Sequence, residues 1–243
     1  MRISSMTDIG KSRRCNEDSV RSGSFSPHAA WAVVCDGMGG AVGGLTASTT
    51  AADMIASKIC ACYREGMSSS SMQNMLLSAI TTANVAVYDR SRADSELHGM
   101  GTTVVSAVIE SGSCCVAHAG DSRAYIMGPQ GIRQVTKDHS VVQQMYDNGE
   151  LSEEQMKNHP IKNVITRALG VEEDIDIDFN VETLCEGEIL LLCSDGLSNF
   201  VDDSDILKAY EEEPFEKLAS KLVEMANDNG GGDNISVVAV AWE

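Results

Sequence analysis

The chain has 243 residues, 43% of them apolar, and its 18 basic and 36 acidic residues give a formal net charge of −18. This length suits one large domain, or at most two small ones, with a substantial core. The acidic excess disfavours binding to nucleic acid or to an anionic membrane, because both need a cationic face. Carboxylates in such excess favour the binding of cations instead.

Cysteine usage and the absence of targeting signals predict a cytoplasmic protein. Of eight cysteines, none stands in a Cys-x-x-Cys pair, and Cys35 and Cys193 lie inside apolar runs, where we expect reduced core thiols. The opening residues MRISSMTDIG contain no apolar signal segment. No apolar run approaches the roughly 18–20 residues that a membrane span requires.

Apolar runs bounded by Gly, Asp or Ser predict six strands. In chain order they are AAWAVVC, TTVVSAVIE, SCCVAHA, RAYIM, GEILLLCS and NISVVAVAW. Helical spacing predicts helices over 45–64, 71–92 and 214–227, and the last meets the helix stop NDNGGGDN. The polar segment 139–169 is predicted to leave the core.

The order of these elements predicts an α+β fold. Strands that follow one another directly favour antiparallel sheets over repeated βαβ units. Several strands are nearly all apolar, which suits sheets covered on both faces. Two stacked sheets, each with a pair of helices on its outer face, fit this order.

An aspartate stands beside glycine at four strand ends, at Asp36, Asp121, Asp195 and Asp233. Any one of them is explained by a turn, but four such sites beside buried strands favour a cluster at one rim. Two carboxylates about 4 Å apart repel by roughly 4 kcal/mol at an effective dielectric near 20. The cluster must therefore take up protons or hold metal, and oxygen ligands select Mg²⁺ or Mn²⁺ rather than zinc.

The segment TDIGKSRRCNEDSV carries Arg13, Glu17 and Asp18 in one turn-like stretch. Arg13 is either a surface arginine or a residue that binds two oxygens of a phosphate. Glu17 and Asp18 would orient metal-bound water. Carboxylates, hard cations and an arginine indicate phosphoryl chemistry with metal-activated water.

Together these segments resemble the metal-dependent protein phosphatase family, also called the protein phosphatase 2C family, in its compact bacterial form. The resemblance runs along nearly the whole chain and is carried, in order, by GKSRRCNEDS, CDGMGG, GMGTTVV, AGDSRAY, TKDHSVVQQM, HPIKNVITRALG, CSDGL and GGDNISVVAV. It implies a single catalytic domain over residues 1–243, with an α-β-β-α sandwich of two antiparallel sheets flanked by helix pairs. A flap at about 143–163 is implied to touch the substrate.

The resemblance also implies a site with two Mn²⁺ or Mg²⁺ ions. Asp36 would bridge the ions, the Gly37 carbonyl would hold one, and Asp195 and Asp233 would hold the other. A weaker third cation would bind at Asp121 and Asp195. The remaining roles are carried by Arg13, which would bind the substrate phosphate, by Glu17 and Asp18 beside the metals, and by Asn234, which would steady Asp233.

The implied activity is dephosphorylation of phosphoserine and phosphothreonine proteins by a monomeric enzyme. A hydroxide bridging the two ions would attack phosphorus directly, without a phosphoenzyme. The implied substrates include a cognate Ser/Thr kinase. Two alternatives stay open: a catalytically weak or dead family member that acts as a binding or regulatory module, and an enzyme for small phosphate esters or a partner-switching pathway.

Some residues depart from the family pattern or receive no place in the site. Met38 stands where many eukaryotic relatives have a histidine, and Ala41 and Leu45 replace a histidine and a glutamate common in bacterial relatives. No histidine is assigned to metal: His118 is expected in the core or just behind it, and His139 is expected to cap the following helix region. Two further arginines, Arg123 and Arg167, are expected to form ion pairs that hold the fold.

Overall fold

The computed structural model describes residues 1–242, in which apolar strands are stacked between outer helices. The strands are β1 (Arg2–Asp8), β2 (Asp18–Ser26), β3 (Ala29–Met38), β4 (Gly101–Thr102), β5 (Val104–Glu110), β6 (Ser113–Ala119), β7 (Arg123–Gly128), β8 (Gly131–Gln134), β9 (Asp178–Thr183), β10 (Ile189–Cys193) and β11 (Ile235–Ala241). The α-helices are α1 (Ala41–Cys62), α2 (Ser69–Ala93), α3 (Val141–Asp147), α4 (Glu153–Lys157), α5 (Asp195–Ser198), α6 (Asp203–Glu212) and α7 (Phe215–Asp228).

Two antiparallel sheets form the centre of the fold. One sheet has the strand order β1-β11-β10-β7-β8 and the other β2-β3-β5-β6-β9, with β4 pairing to the end of β3. Every strand pair is antiparallel, as the order of predicted elements indicated. The predicted fold class, an α+β sandwich of two antiparallel sheets with outer helices, is confirmed.

Strand β3 shows why several predicted strands are apolar on both faces. Successive side chains of a strand point to opposite sides. Ala32 and Val34 pack between the sheets, where they belong to the same cluster as Val238 and Val240 of β11. Trp31, Val33 and Cys35 point outward, where their cluster includes the apolar faces of α1 and α2. A third cluster joins the other sheet to α6 and α7, so helices cover both outer faces.

The six predicted strands are present, but five further strands were not predicted. Four of these, β1, β2, β8 and β9, are the edge strands of the two sheets, and the fifth, β4, has only two residues. An edge strand pairs on one side only and tolerates polar residues, so it lacks the apolar run on which the prediction relied. The turn-like segment assigned to Glu17 and Asp18 is corrected in part, because Asp18 already begins β2.

The helices also differ from their predicted bounds. Helix α1 begins at Ala41, four residues before the predicted start, and α7 lies within a residue of its predicted range. Helix α6 was not predicted, because only Ile206 and Ala209 of its ten residues are buried. No helix within residues 1–242 is both long and apolar enough to cross a membrane.

The polar segment 139–169 carries the short helices α3 and α4. Its two ends meet, since Ser140 and Ile165 form an isolated β-bridge and the Thr166 amide donates to the His139 carbonyl at 2.8 Å. The oxygen of Ser140 accepts from the Gln143 amide and caps α3. The expectation that His139 provides this cap is therefore wrong, and its side chain has a different set of contacts.

Candidate metal centre

A cleft of about 280 Å³ brings together seven of the eight residues predicted for the site. Its lining includes the predicted residues Arg13, Glu17, Asp36, Gly37, Asp121, Asp195 and Asp233. The eighth, Asp18, is buried beside the cleft, opposite Asp36 in the β2–β3 pairing. Met38 also lines the cleft, whereas Ala41 and Leu45 lie exposed on the first turns of α1 outside the lining.

Asp36 is held through its backbone by Thr102 and Thr103, which lie at the end of β4 and just before β5. Its amide donates to Thr103 Oγ1 at 3.0 Å, and its carbonyl accepts from the Thr103 amide and from Thr102 Oγ1, both at 2.9 Å. Thr103 Oγ1 also contacts Ser122 Oγ at 2.7 Å. Neither threonine was among the predicted site residues. Their adjacent hydroxyls, at the head of the predicted strand TTVVSAVIE, were the sequence signal for a role in the site.

Asp18 is a buried acid tied to the opposite sheet. Its Oδ2 accepts from Ser194 Oγ at 2.7 Å, and Ser194 Oγ accepts in turn from the Ser236 amide at 3.0 Å. Its Oδ1 finds no hydrogen-bond partner in the described chain. Burial raises the pKa of Asp18 to about 7, against the hydrogen bond from Ser194, and the charge of Asp195 adds to the rise. A buried acid of this kind needs a proton or nearby positive charge.

Asp195 opens the short helix α5, directly after β10. Asn199 Nδ2 donates to its Oδ2 at 2.9 Å, while its Oδ1 is buried and has no partner among residues 1–242. Burial, and after it the charge of Asp233, raises the pKa of Asp195 to about 6. The free oxygen of Asp195 is therefore available as a ligand.

Asp233 and the N-terminal loop are joined by Asn234. The Asn234 amide donates to Asp233 Oδ1 at 2.8 Å, and its side chain donates to the carbonyls of Ile9 and Cys15 and accepts from the Glu17 amide. Arg13 Nη2 lies 2.7 Å from Asp233 Oδ2. The loop that carries Arg13 is thus fixed against the loop that carries Asp233, in agreement with the steadying role expected for Asn234.

The electrostatics of the cleft fit hard divalent cations. Burial raises the pKa of Asp36 well above its usual range, and the charges of Asp18 and Asp195 raise it further. The pKa of Asp121 rises to about 8, first by burial and then by the charge of Asp195. Buried acids that repel one another and leave oxygens unpaired are stabilised by cations with oxygen ligands.

Two glycines let the backbone pack closely around this cleft. A Cβ atom at Gly37 would collide with the Gly44 carbonyl, and one at Gly44 would collide with the Glu17 carboxylate. The first turns of α1 therefore lie directly against the end of β3 and against Glu17. A side chain at either position would displace this packing.

A thiol nucleophile is disfavoured, although Cys15 and Arg21 do stand in the Cys-x5-Arg spacing of cysteine phosphatases. Arg21 is paired with Asp53, with Nη2 and Oδ1 2.7 Å apart. Desolvation raises the pKa of Cys15, and the nearby Glu17 carboxylate raises it further. A reactive cysteine needs the opposite shift in its pKa.

The histidines, together with Arg123 and Arg167, are not among the residues that line the cleft. Arg123 pairs with Asp138 and Arg167 pairs with Asp178, each at 2.7 Å, as the expected ion pairs. His118 is buried, as expected. Ligand atoms of His118, His139 and Asp178 nevertheless lie within 4.8 Å of one another, a grouping that the sequence analysis missed.

The chain is similar to known serine/threonine phosphatases along its length. Residues 10–237 match the family model described as Protein phosphatase 2C. The serine/threonine phosphatase Stp of Listeria monocytogenes serotype 4b is 35% identical over 240 residues, which are 96% of this chain and 93% of that protein. The serine/threonine protein phosphatase PstP of Mycobacterium tuberculosis is 32% identical over 238 residues, which are 98% of this chain and 44% of that protein.

Solved structures show the same similarity. Stp1 from Staphylococcus aureus has a TM-score of 0.92 and 32% identity, covering 99% of this chain and 94% of that chain. The catalytic domain of PstP in complex with two manganese ions has a TM-score of 0.85 and 30% identity, covering 98% of this chain and 96% of that chain. The chain belongs to the protein phosphatase 2C family and is a serine/threonine phosphatase of that type.

Proposed function

We propose that the chain dephosphorylates phosphoserine and phosphothreonine in proteins, with two Mn²⁺ or Mg²⁺ ions bound in the cleft and water attacking phosphorus directly. One observation carries this proposal: carboxylates that repel one another line the same cleft as Arg13, and one of them, Asp195, has a buried oxygen without a partner among residues 1–242. The manganese ions of the similar PstP domain support the choice of metal.

In this proposal Asp36, the Gly37 carbonyl, Asp195 and Asp233 would hold the two cations, with Asp36 shared by both. Asp121 and Asp195 would hold a weaker third cation. When bound, the cations lower the pKa of water and offset the charge of the phosphate oxygens.

The other residues position the substrate and the water. Arg13 is half exposed at the mouth of the cleft, where its guanidinium is available for two phosphate oxygens. Glu17 lines the cleft, and Asp18 lies directly opposite Asp36, so both would orient water bound to the cations. Because a water is the nucleophile, no side chain forms a covalent phosphoryl intermediate.

Release of phosphate from a phosphothreonine peptide tests the proposal. We expect release to require Mn²⁺ or Mg²⁺, to stop on addition of chelator, and to persist after alkylation of the exposed cysteines. Single-turnover hydrolysis in ¹⁸O-labelled water should place one label in the phosphate and none in the protein. Phosphopeptide binding without release would support the alternative of a weak or dead member that acts as a binding or regulatory module.

Several finer assignments belong to the same proposal. Residues 1–243 act as a single catalytic domain with a flap at about 143–163 that contacts the phosphoprotein. The ends of the segment 139–169 meet beside Asp121, which supports the position of this flap. A cognate Ser/Thr kinase as substrate, a monomeric state and a cytoplasmic location stay predictions of the sequence analysis.

A further inference from the structure

The side chain of His139 contacts the turn that carries Asp121. The Gly120 amide donates to His139 Nδ1 at 3.1 Å, and the His139 amide donates to the Gly120 carbonyl at 2.9 Å. His139 is 8% exposed. These two bonds join it to the residue immediately before Asp121.

The hydrogen bond from the Gly120 amide determines the tautomer of the neutral His139 ring. Because Nδ1 accepts from the Gly120 amide, the proton of the neutral ring lies on Nε2. This proton faces Asp178 Oδ2, which is 3.2 Å from Nε2, whereas Arg167 Nη1, 3.1 Å from Nε2, can only donate and makes no hydrogen bond with the protonated nitrogen. Asp178 Oδ1 accepts from Arg167 Nη1 at 2.7 Å. A chain of polar contacts thus runs from Arg167 through Asp178 and His139 to the Gly120 amide.

A metal ion fits this cluster poorly, although His118 Nδ1 is buried without a partner in the described chain. A metal on His139 Nε2 would move the ring proton to Nδ1, where it would face the Gly120 amide proton. Arg167 Nη1 also lies 3.1 Å from Nε2 and would repel a cation. The rings of His118 and His139 are stacked, with centroids 4.7 Å apart, so they do not converge on a common point.

His139 also lies at the base of the segment 139–169, which carries α3 and α4. The His139 carbonyl accepts from the Thr166 amide at 2.8 Å, and the neighbouring Ser140 forms the bridge to Ile165. Arg167 and Asp178 connect the outgoing end of this segment to β9. His139 therefore contacts both the base of the proposed flap and the turn of Asp121.

We propose that His139 is a positioning residue which, oriented by Asp178 and Arg167, holds the Gly120–Asp121 turn in place for cation binding at Asp121. This inference rests on the proposed function, because it takes Asp121 as a ligand of the weaker third cation. Residues that orient a metal ligand typically change metal affinity by about 10–100-fold when replaced.

Two substitutions separate the bond to Gly120 from the bond to Asp178. In His139→Asn the amide oxygen replaces Nδ1 and can still accept from the Gly120 amide. In His139→Gln the longer side chain can still donate to Asp178 but offers no acceptor to Gly120. Both variants lose the ring and its packing against His118, so a role in packing alone affects them alike.

The probe is Mn²⁺, titrated calorimetrically into the full chain, with Asp121→Ala identifying the weak binding event. We expect His139→Asn to keep the weak Mn²⁺ affinity within about threefold and His139→Gln to lose about tenfold or more, with the tight sites unchanged in both. Hydrogen exchange at the Gly120 amide should stay protected in His139→Asn and become fast in His139→Gln.

Equal weak-site affinities in the two variants would overturn the inference, as would equal Gly120 protection. A wild-type titration without an Asp121-dependent event would overturn it too, while tight Mn²⁺ binding and phosphopeptide hydrolysis would leave the two-cation function standing. Loss of that hydrolysis in the wild-type chain would contradict the proposed function itself.

Discussion

Arg13 Nη2 and Asp233 Oδ2 lie 2.7 Å apart, so the arginine proposed to bind phosphate is paired with an acid proposed to bind a cation. The Arg13 side chain is half exposed, and such pairs contribute only about 0–1 kcal/mol to stability. Binding of a cation by Asp233 would weaken this pair and leave the guanidinium available to the substrate. On the proposed roles, cation binding and phosphate binding would be linked through this one carboxylate.

Replacement of Arg13 by alanine tests its role at the phosphate. Removal of a charge-assisted contact should raise KM for p-nitrophenyl phosphate by about tenfold and change kcat by less than about threefold. Calorimetric Mn²⁺ affinity should not fall, since Arg13 competes with cations for Asp233. An unchanged KM would exclude the phosphate role, and Arg14→Ala, one position along, provides the control.

Replacement of Asp36 by asparagine should remove the ligand placed between the two cations. Loss of cation stabilisation worth several kcal/mol predicts a fall in kcat of about 100-fold or more at saturating Mn²⁺. Asp53→Asn makes the same change in charge on the exposed surface of α1 and should keep kcat near wild type. Comparable rates in the two variants, measured with a phosphothreonine peptide, would contradict the assignment of Asp36.

The central strands and the acids at their ends were predictable because both leave a local signal. The apolar run of β3, on both faces of the strand, ends at Asp36, and β10 likewise leads to Asp195. Antiparallel stacking then brings strand ends from both sheets to one cleft, as the convergence argument expected. The sequence therefore indicated both the fold class and most of the cleft lining.

Contacts between distant segments were not predictable, because neither partner carries a pattern of its own. The hydroxyl of Thr103 matters through the Asp36 amide, 67 positions earlier in the chain. His139 looked like part of a helix cap, but its ring reaches Gly120, 19 positions away, and Asp178. Such contacts depend on the finished packing of sheets and loops, and only the structure supplies it.

Thr103→Val tests whether this backbone contact positions Asp36. The valine has a similar shape but cannot accept from the Asp36 amide, and Thr103 is only 3% exposed. An unpaired buried amide should cost about 1–3 kcal/mol in urea unfolding, and kcat should fall with it. Thr103→Ser keeps the hydroxyl and should keep kcat within about threefold. A serine variant as slow as the valine variant would exclude this role of the hydroxyl.

The acids of the cleft predict how stability without cations depends on pH. Burial raises the pKa of Asp18 to about 7 and of Asp121 to about 8, whereas an unfolded aspartate titrates near 3.9. The folded chain holds protons that the unfolded chain has released, so its stability falls as pH rises through 7 and 8. Burial lowers the pKa of His118 and His139, so these histidines make stability rise with pH, but only up to about pH 6.5, where the unfolded histidines have also lost their protons.

We expect Tm in chelator to fall between pH 6.5 and 8.5, and saturating Mn²⁺ to remove this fall because cations replace the protons. A Tm in chelator that rises across this range would contradict the assignment of buried, cation-dependent acids.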